Sequence, residues 1–176
     1  MNILIIVVIV IALPFIIALF SKKEYAVERE IIISKPKQQV FNYIRFLKNQ
    51  NNYSVWNMKD PNMKQEFKGT DGTVGFVSAW DSTDKNVGKG EQEIKKITEG
   101  ESLELNLHFI KPFDGLANAR MTTKAISENE TKVTWGFDSK MKYPMNIMLL
   151  VMNMEKMLGK DLGTGLNNLK TVLEKE

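Results

Sequence analysis

From Ile3 to Phe20 the chain carries no polar side chain. A helix of that length rises about 27 Å, close to the roughly 30 Å hydrocarbon core of a bilayer. Lys22 and Lys23 follow at once. The pattern predicts a transmembrane anchor over residues 3–20, and Pro14 inside it is tolerated in membrane helices. A cleaved signal peptide is the competing reading. It wants a positive n-region, an apolar core of about 7–15 residues and small residues at the cut. Met1-Asn2 carries no charged side chain, and Ala18-Leu19-Phe20-Ser21 is a poor cleavage site. The positive-inside bias then puts Lys22, Lys23 and the rest of the chain on the cytoplasmic side, as a single-pass membrane protein.

After the anchor the periodicity changes several times. Tyr25 to Ile33 alternates and then runs β-branched, which predicts a strand. Ser34-Lys35-Pro36 is a helix start, and Val40, Ile44 and Leu47 fall on one helical face. Asn49-Gln50-Asn51-Asn52 ends that helix. Tyr53 to Asp60 reads as a short helix that stops at Pro61. A series of strands follows, over 63–68, 74–80, 88–97, 103–110, 116–126 and 132–140, separated by turn clusters such as Gly69-Thr70-Asp71-Gly72 and Glu128-Asn129-Glu130. The cleanest is Leu103–Ile110, with Leu103, Leu105, Leu107 and Phe109 on one face and Glu104, Asn106 and His108 on the other. Such alternation is that of an antiparallel sheet with one wet face. Beyond Pro144 the period becomes helical: Val151, Met154, Leu158, Leu162, Leu166, Leu169 and Leu173 recur to the end of the chain. Gly159, Gly163 and Gly165 interrupt this stripe and are expected to permit a bend or a close approach to the sheet.

The fold class predicted is α+β. About seven antiparallel strands have a face to cover, and one long helix is available, so the simplest solution curls the sheet around that helix. The domains expected are the anchor over 3–20 and one globular unit over 24–176, of the size of an ordinary single-core domain.

Composition narrows the chemistry. Of 176 residues, 24 are basic and 21 acidic, for a net charge of +3. No block of like charge suggests a nucleic-acid partner. The chain has no cysteine, which excludes disulfides, thiolate metal sites and cysteine nucleophiles. With a single histidine, only carboxylates remain as metal ligands, and neither a metal nor a cofactor is expected.

The residues Val27-Glu28-Arg29, Ile33-Ser34-Lys35-Pro36 and Val40-Phe41 carry a resemblance. So do Trp56 with Asp60-Pro61, Gly72-Thr73-Val74-Gly75 before Trp80, and Gly88-Lys89-Gly90 with Gln92 and Ile94. Lys111-Pro112-Phe113, Tyr143-Pro144-Met145-Asn146 and the closing Gly163, Gly165, Leu166, Leu169 and Lys170 extend it. In these the chain resembles the START-like (SRPBCC) helix-grip superfamily, and within it the polyketide cyclase/dehydrase and lipid-transport family, over residues 24–176. The resemblance implies a deep apolar cavity under the C-terminal helix, of the kind used there for lipids, polyketides and sterols. It implies no particular reaction.

Candidate cavity residues follow from the patterning. Met145, Met148 and Met152 form a stripe of their own near the start of the last helix, and methionine suits surfaces that adapt to varied apolar ligands. Trp80, Trp135, Phe76, Phe137 and Met121 sit on apolar strand faces, and Trp56 lies in the short segment before Asp60-Pro61, where it can gate a mouth. Each has an ordinary core role as its alternative. His108 shares a polar strand face with Glu104 and Asn106, which fits a solvent-exposed histidine better than a general base. No catalytic residue is assigned. The function expected is membrane-tethered binding of a hydrophobic small molecule or lipid. The alternatives are a cyclase, dehydratase or hydrolase on an apolar substrate, or a protein-interaction module. The oligomeric state is not readable from the chain.

Overall fold

The computed structural model describes residues 3–175, with side-chain surroundings in the first helix from Ile9 onward. That helix, α1, is Ile3–Phe20, with Pro14 inside it. Among the described residues no helix is long and apolar enough to cross a membrane.

Seven strands follow in one antiparallel sheet: β1 (Glu24–Ile33), β2 (Lys64–Lys68), β3 (Val77–Asp81), β4 (Lys89–Thr98), β5 (Ser102–Lys111), β6 (Gly115–Ser127) and β7 (Glu130–Lys140). Their order is β1-β7-β6-β5-β4-β3-β2. The first strand closes on the last, from Glu24 opposite Lys140 to Ile33 opposite Thr131. The rest is a meander of short turns. Between β1 and β2 lie α2 (Lys37–Ile44), a 3-10 turn (Leu47–Asn52) and α3 (Val55–Lys59). The Asp71 carboxylate accepts the backbone N–H groups of Leu47 and Lys48 at 2.8 and 3.1 Å, which pins the start of the 3-10 turn against the loop after β2. The helix-grip expectation holds: the C-terminal helix α5 (Met154–Lys175) lies in the curve of the sheet, mainly on β1.

The leucine stripe explains that docking. Leu162, Leu166, Leu169 and Leu173 are all buried, against Val27, Ile33, Val133 and Trp135 on the strands and Val40, Phe41 and Ile44 on α2. Each such leucine contributes roughly 1.5–3 kcal/mol by leaving water. Gly165 sets the distance of approach: a Cβ there would lie 2.8 Å from the Trp135 ring and 3.4 Å from the Tyr53 carbonyl.

The structure differs from three expectations. The helix predicted to run from Pro36 to the Asn49–Asn52 cluster stops at Ile44, and Leu47–Asn52 form a 3-10 turn of their own. The helix predicted to run unbroken after Pro144 is three pieces: a 3-10 turn (Met145–Ile147), α4 (Met148–Val151) and α5, with Met152 in extended backbone between the last two. Asn153 makes the break, because its Oδ1 accepts the Lys156 N–H at 2.9 Å and so caps a new helix. Val151 therefore leaves the leucine stripe and stands in solvent. The strand predicted over 74–80 starts at Val77, because Gly75 takes a φ of +87° and breaks the run before it.

The glycines of α5 give a direct check. Gly163 has open space where a Cβ would go, so G163A is expected to stabilise the fold by about 0.5–1 kcal/mol through helix propensity. G165A is expected to destabilise it, because the new methyl meets Trp135. Chemical denaturation of the two variants measures both signs.

Candidate functional site

The helix α5 covers β1 and only the near part of β7, so the inner faces of β3 to β6 need another partner. They do not find a full one. A hollow of about 410 Å³ lies between that part of the sheet, α3, the first turns of α5 and the methionine segment 145–152. The wall is mostly apolar. Leu105, Leu107 and Phe109 of β5 and Ala119 of β6 form its floor, and Leu158 and Leu162 face them from α5. A belt of aromatic rings runs around it. Trp80 meets Phe109 edge-on at 6.1 Å, Phe109 meets Phe137 at 6.3 Å, and Phe137 stacks on Tyr25 at 6.3 Å. Trp56 stands edge-on to Trp135 at 6.2 Å on the other side. Edge-on and offset contacts of this kind suit the ring quadrupoles and hold the side chains in place.

Trp80 owes its position to a glycine. A Cβ on Gly90, across the β3–β4 ladder, would lie 2.7 Å from the indole and 2.6 Å from the His108 carbonyl. The bare backbone lets the ring lie flat, and its Nε1 donates to the Val87 carbonyl at 3.2 Å. The sequence Gly88-Lys89-Gly90 is thus a seat for an aromatic ring at the start of a strand.

The deep end carries a small polar cluster. The Gln92 amide donates to Gln50 Oε1 at 2.8 Å; both side chains are buried, and Ser54 and Ser78 lie in the same wall. The mouth is different again. Phe113, Met141 and Met145 stand there with Lys111, Lys140, Lys142 and Asp114. The hydrogen bond from His108 and the nearby Lys142 ammonium hold the Asp114 carboxyl below its ordinary range.

Of the nine residues singled out from the sequence, the structure brings Trp56, Trp80, Trp135, Phe137, Met145, Met148 and Met152 to the wall of the hollow. Phe76 and Met121 lie elsewhere. Phe76 is sealed in a core with Leu47, Ile94 and Leu103 beneath the 3-10 turn, stacked on Phe67. Met121 is buried under Tyr53, whose hydroxyl reaches its sulfur at 3.7 Å. Alternation put both on the inner face, but α2 and the 3-10 turn cover that end of the sheet. The sequence reading missed Gln50, Ser54, Ser78 and Gln92. Their one signal was Gln92 between Gly90 and Ile94 at inward-facing positions of β4.

His108 does not reach the hollow. Its ring sits on the outer side of β5, with Nε2 2.8 Å from Asp114 Oδ1. Among the described residues no cluster of three or more histidine or carboxylate groups is arranged to hold a metal ion.

Tyr53 backs the wall, edge-on to Trp135 at 5.7 Å. Full burial pushes its hydroxyl well above the ordinary tyrosine value. The phenol therefore stays neutral in the folded chain while it ionises in the unfolded one above about pH 10. Stability from this residue is complete below that pH and is lost as pH rises beyond it, by at most about 1.4 kcal/mol per pH unit. Y53F is expected to flatten the alkaline limb of a stability–pH curve measured by denaturant titration.

No protein-family model and no curated protein matches the sequence. Solved structures do resemble the fold. Truncated norcoclaurine synthase from Thalictrum flavum superposes with a TM-score of 0.63 at 8% identity, over 89% of this chain and 97% of that one. A second structure of that enzyme, in complex with dopamine and hydroxybenzaldehyde, gives 0.57 at 11% identity, over 92% of each chain. The di-domain aromatase/cyclase (ARO/CYC) StfQ of the steffimycin biosynthetic pathway gives 0.63 at 8% identity, over 87% of this chain and 51% of that one. A Chromobacterium violaceum protein gives 0.60 at 10% identity, over 85% and 96%. At these identities the likeness is one of architecture: beyond α1, the chain has the START-like, Bet v1-like helix-grip fold.

Proposed function

We propose that the chain is a membrane-tethered binding module that takes a hydrophobic small molecule or lipid into the hollow between sheet and C-terminal helix. The hollow itself carries the reading. Its volume of about 410 Å³ falls in the roughly 300–1,000 Å³ range of small-molecule sites. Its wall is apolar, with a few polar groups at the deep end to orient a ligand. Methionines on one side give it a surface that adapts to the ligand's shape. The fold neighbour solved with dopamine and hydroxybenzaldehyde lends support by analogy of architecture.

The tether is α1. Its described side chains are apolar and exposed around the whole circumference, from Ile9 to Phe20, apart from Ala18 and the half-buried Ala12. A helix apolar on every side belongs in lipid or in a protein core, and no core surrounds the described part of this one, Ile9 to Phe20. The positive-inside bias, read from Lys22 and Lys23, favours a cytoplasmic side for the domain of residues 24–176. Protease added outside sealed spheroplasts is expected to leave that domain intact; digestion from outside would reverse the orientation.

A cyclase, dehydratase or hydrolase on an apolar substrate is the competing reading, favoured by the cyclase and synthase among the fold neighbours. It requires an acid–base group inside the hollow. His108, its leading candidate, lies outside, and Asp114 sits at the mouth.

Lipid extraction and mass spectrometry of the full chain, purified in detergent, test the binding reading. A co-purifying apolar molecule is expected at near-stoichiometric amounts. L107W, which fills the hollow from the floor, is expected to lower that occupancy at least tenfold, and H108A to leave it unchanged. No bound molecule in the unsubstituted chain, and no uptake of a panel of apolar probes, would count against the proposal.

A further inference from the structure

The joint between α1 and the domain is short and hydrogen-bonded. Three residues, Ser21 to Lys23, separate the end of α1 from the start of β1, and all are held. Ser21 Oγ donates to the Ile17 carbonyl at 2.7 Å. The Met141 N–H donates to the Lys23 carbonyl at 2.8 Å. Between them sits Asn146, fully buried, with its Nδ2 2.6 Å from the Ala18 carbonyl, 3.3 Å from that of Ser21 and 3.5 Å from that of Lys22. The last carbonyls of a helix have no partner of their own. Here an amide from the rim of the hollow supplies one. Among the described residues Asn146 Oδ1 is buried without a partner, a cost that the contacts of its Nδ2 offset.

Asn146 follows Met145, which lines the mouth, and precedes α4. On α4, whose Met148 lines the hollow, Leu150 and Val151 stand out into solvent, 59% and 84% exposed, and Phe113, which also lines the hollow, is 64% exposed. Lysines border this apolar edge: Lys111, Lys140 and Lys142 at the mouth, and Lys22 and Lys23 at the joint. Two of them are already paired, Lys140 with Glu24 at 2.9 Å and Lys142 with Asp114 at 3.1 Å, which leaves Lys22, Lys23 and Lys111 outside those pairs as the net positive charge of this edge. An apolar edge inside a ring of lysines is the chemistry that settles into an anionic lipid surface, with side chains at the acyl boundary and ammonium groups among the phosphates.

We infer that the mouth of the hollow docks on the anionic leaflet from which α1 emerges, with Leu150, Val151 and Phe113 inserted and Asn146 fixing the angle of the domain. This rests on the reading of α1 as a tether and goes beyond it. A tethered domain on a loose leash would tumble in water, whereas this one is held with its opening against lipid. A ligand then passes between bilayer and hollow without crossing water.

The absence of cysteine makes single spin labels straightforward. The full chain is reconstituted in mixed phosphatidylcholine–phosphatidylglycerol vesicles, with labels at L13C, V151C, F113C and, at the far end of the sheet in the β6–β7 turn, N129C. Oxygen and nickel-chelate accessibility then read depth. Labels at V151C and F113C are expected about 5–10 Å below the phosphates, and the N129C label in water. Replacing the anionic lipid by phosphatidylcholine is expected to raise the first two toward the surface. N146A is expected to do the same while the L13C label stays buried. An L13C label in lipid with V151C and F113C labels in water would overturn the docking and leave the tether standing. An L13C label in water would remove both.

Discussion

The structure depends on a mismatch of area. One helix, α5, lies in the curve of a seven-stranded sheet and buries its leucines on the β1 side. Burial there is dense: Leu162, Leu166, Leu169 and Leu173 meet Val27, Ile33, Val133 and Trp135, all of them buried. Gly165 tightens the contact by letting the helix backbone reach Trp135. The opposite half of the sheet has no such partner. The chain covers its upper end with the 3-10 turn and Leu47, and leaves the lower end to side chains that do not fill the space. The hollow is what remains when a straight helix meets a curved sheet that is wider than it is.

Energetically this is a division of labour. The compact half supplies stability, and the open half gives up packing contacts that a solid core would gain. The aromatic belt from Trp80 to Tyr25 keeps the unpacked half from collapsing, because each ring is braced by the next. The buried Gln50–Gln92 pair does the same at the deep end, since both amides would lose their partner if the walls closed differently. The methionine segment is the soft side. It is neither one helix nor a loop, and its break at Met152 and Asn153 turns Met148 and Met152 toward the hollow while α4 presents Leu150 and Val151 outward.

Much of this was legible in the sequence, and what was not has physical reasons. The strand β5 could be read from the alternation of Leu103, Leu105, Leu107 and Phe109 because each carries its own burial signal. The leucine stripe of α5 could be read for the same cause. The break before α5 could not, because the apolar period runs on through Met152 and the interruption rests on one capping side chain, Asn153. Phe76 and Met121 show a second limit. Period two tells which face of a strand is inside, but not which stretch of that face a distant helix covers. Gln50 and Gln92 show a third: a buried polar pair is made by two segments far apart in the chain, and the inward position of Gln92 on β4 does not name its partner.

The proposed binding requires that the hollow between β5 and the methionine segment accept an apolar guest while the packed core beside it stays closed. Methyl NMR of the chain labelled at its methionines, titrated with a long-chain fatty acid, tests it most directly. The resonances of Met145, Met148 and Met152 are expected to shift and saturate while Met121, sealed beneath Tyr53, holds still. Equal small shifts at every methionine, or none at all, would mean that the space is not a binding site.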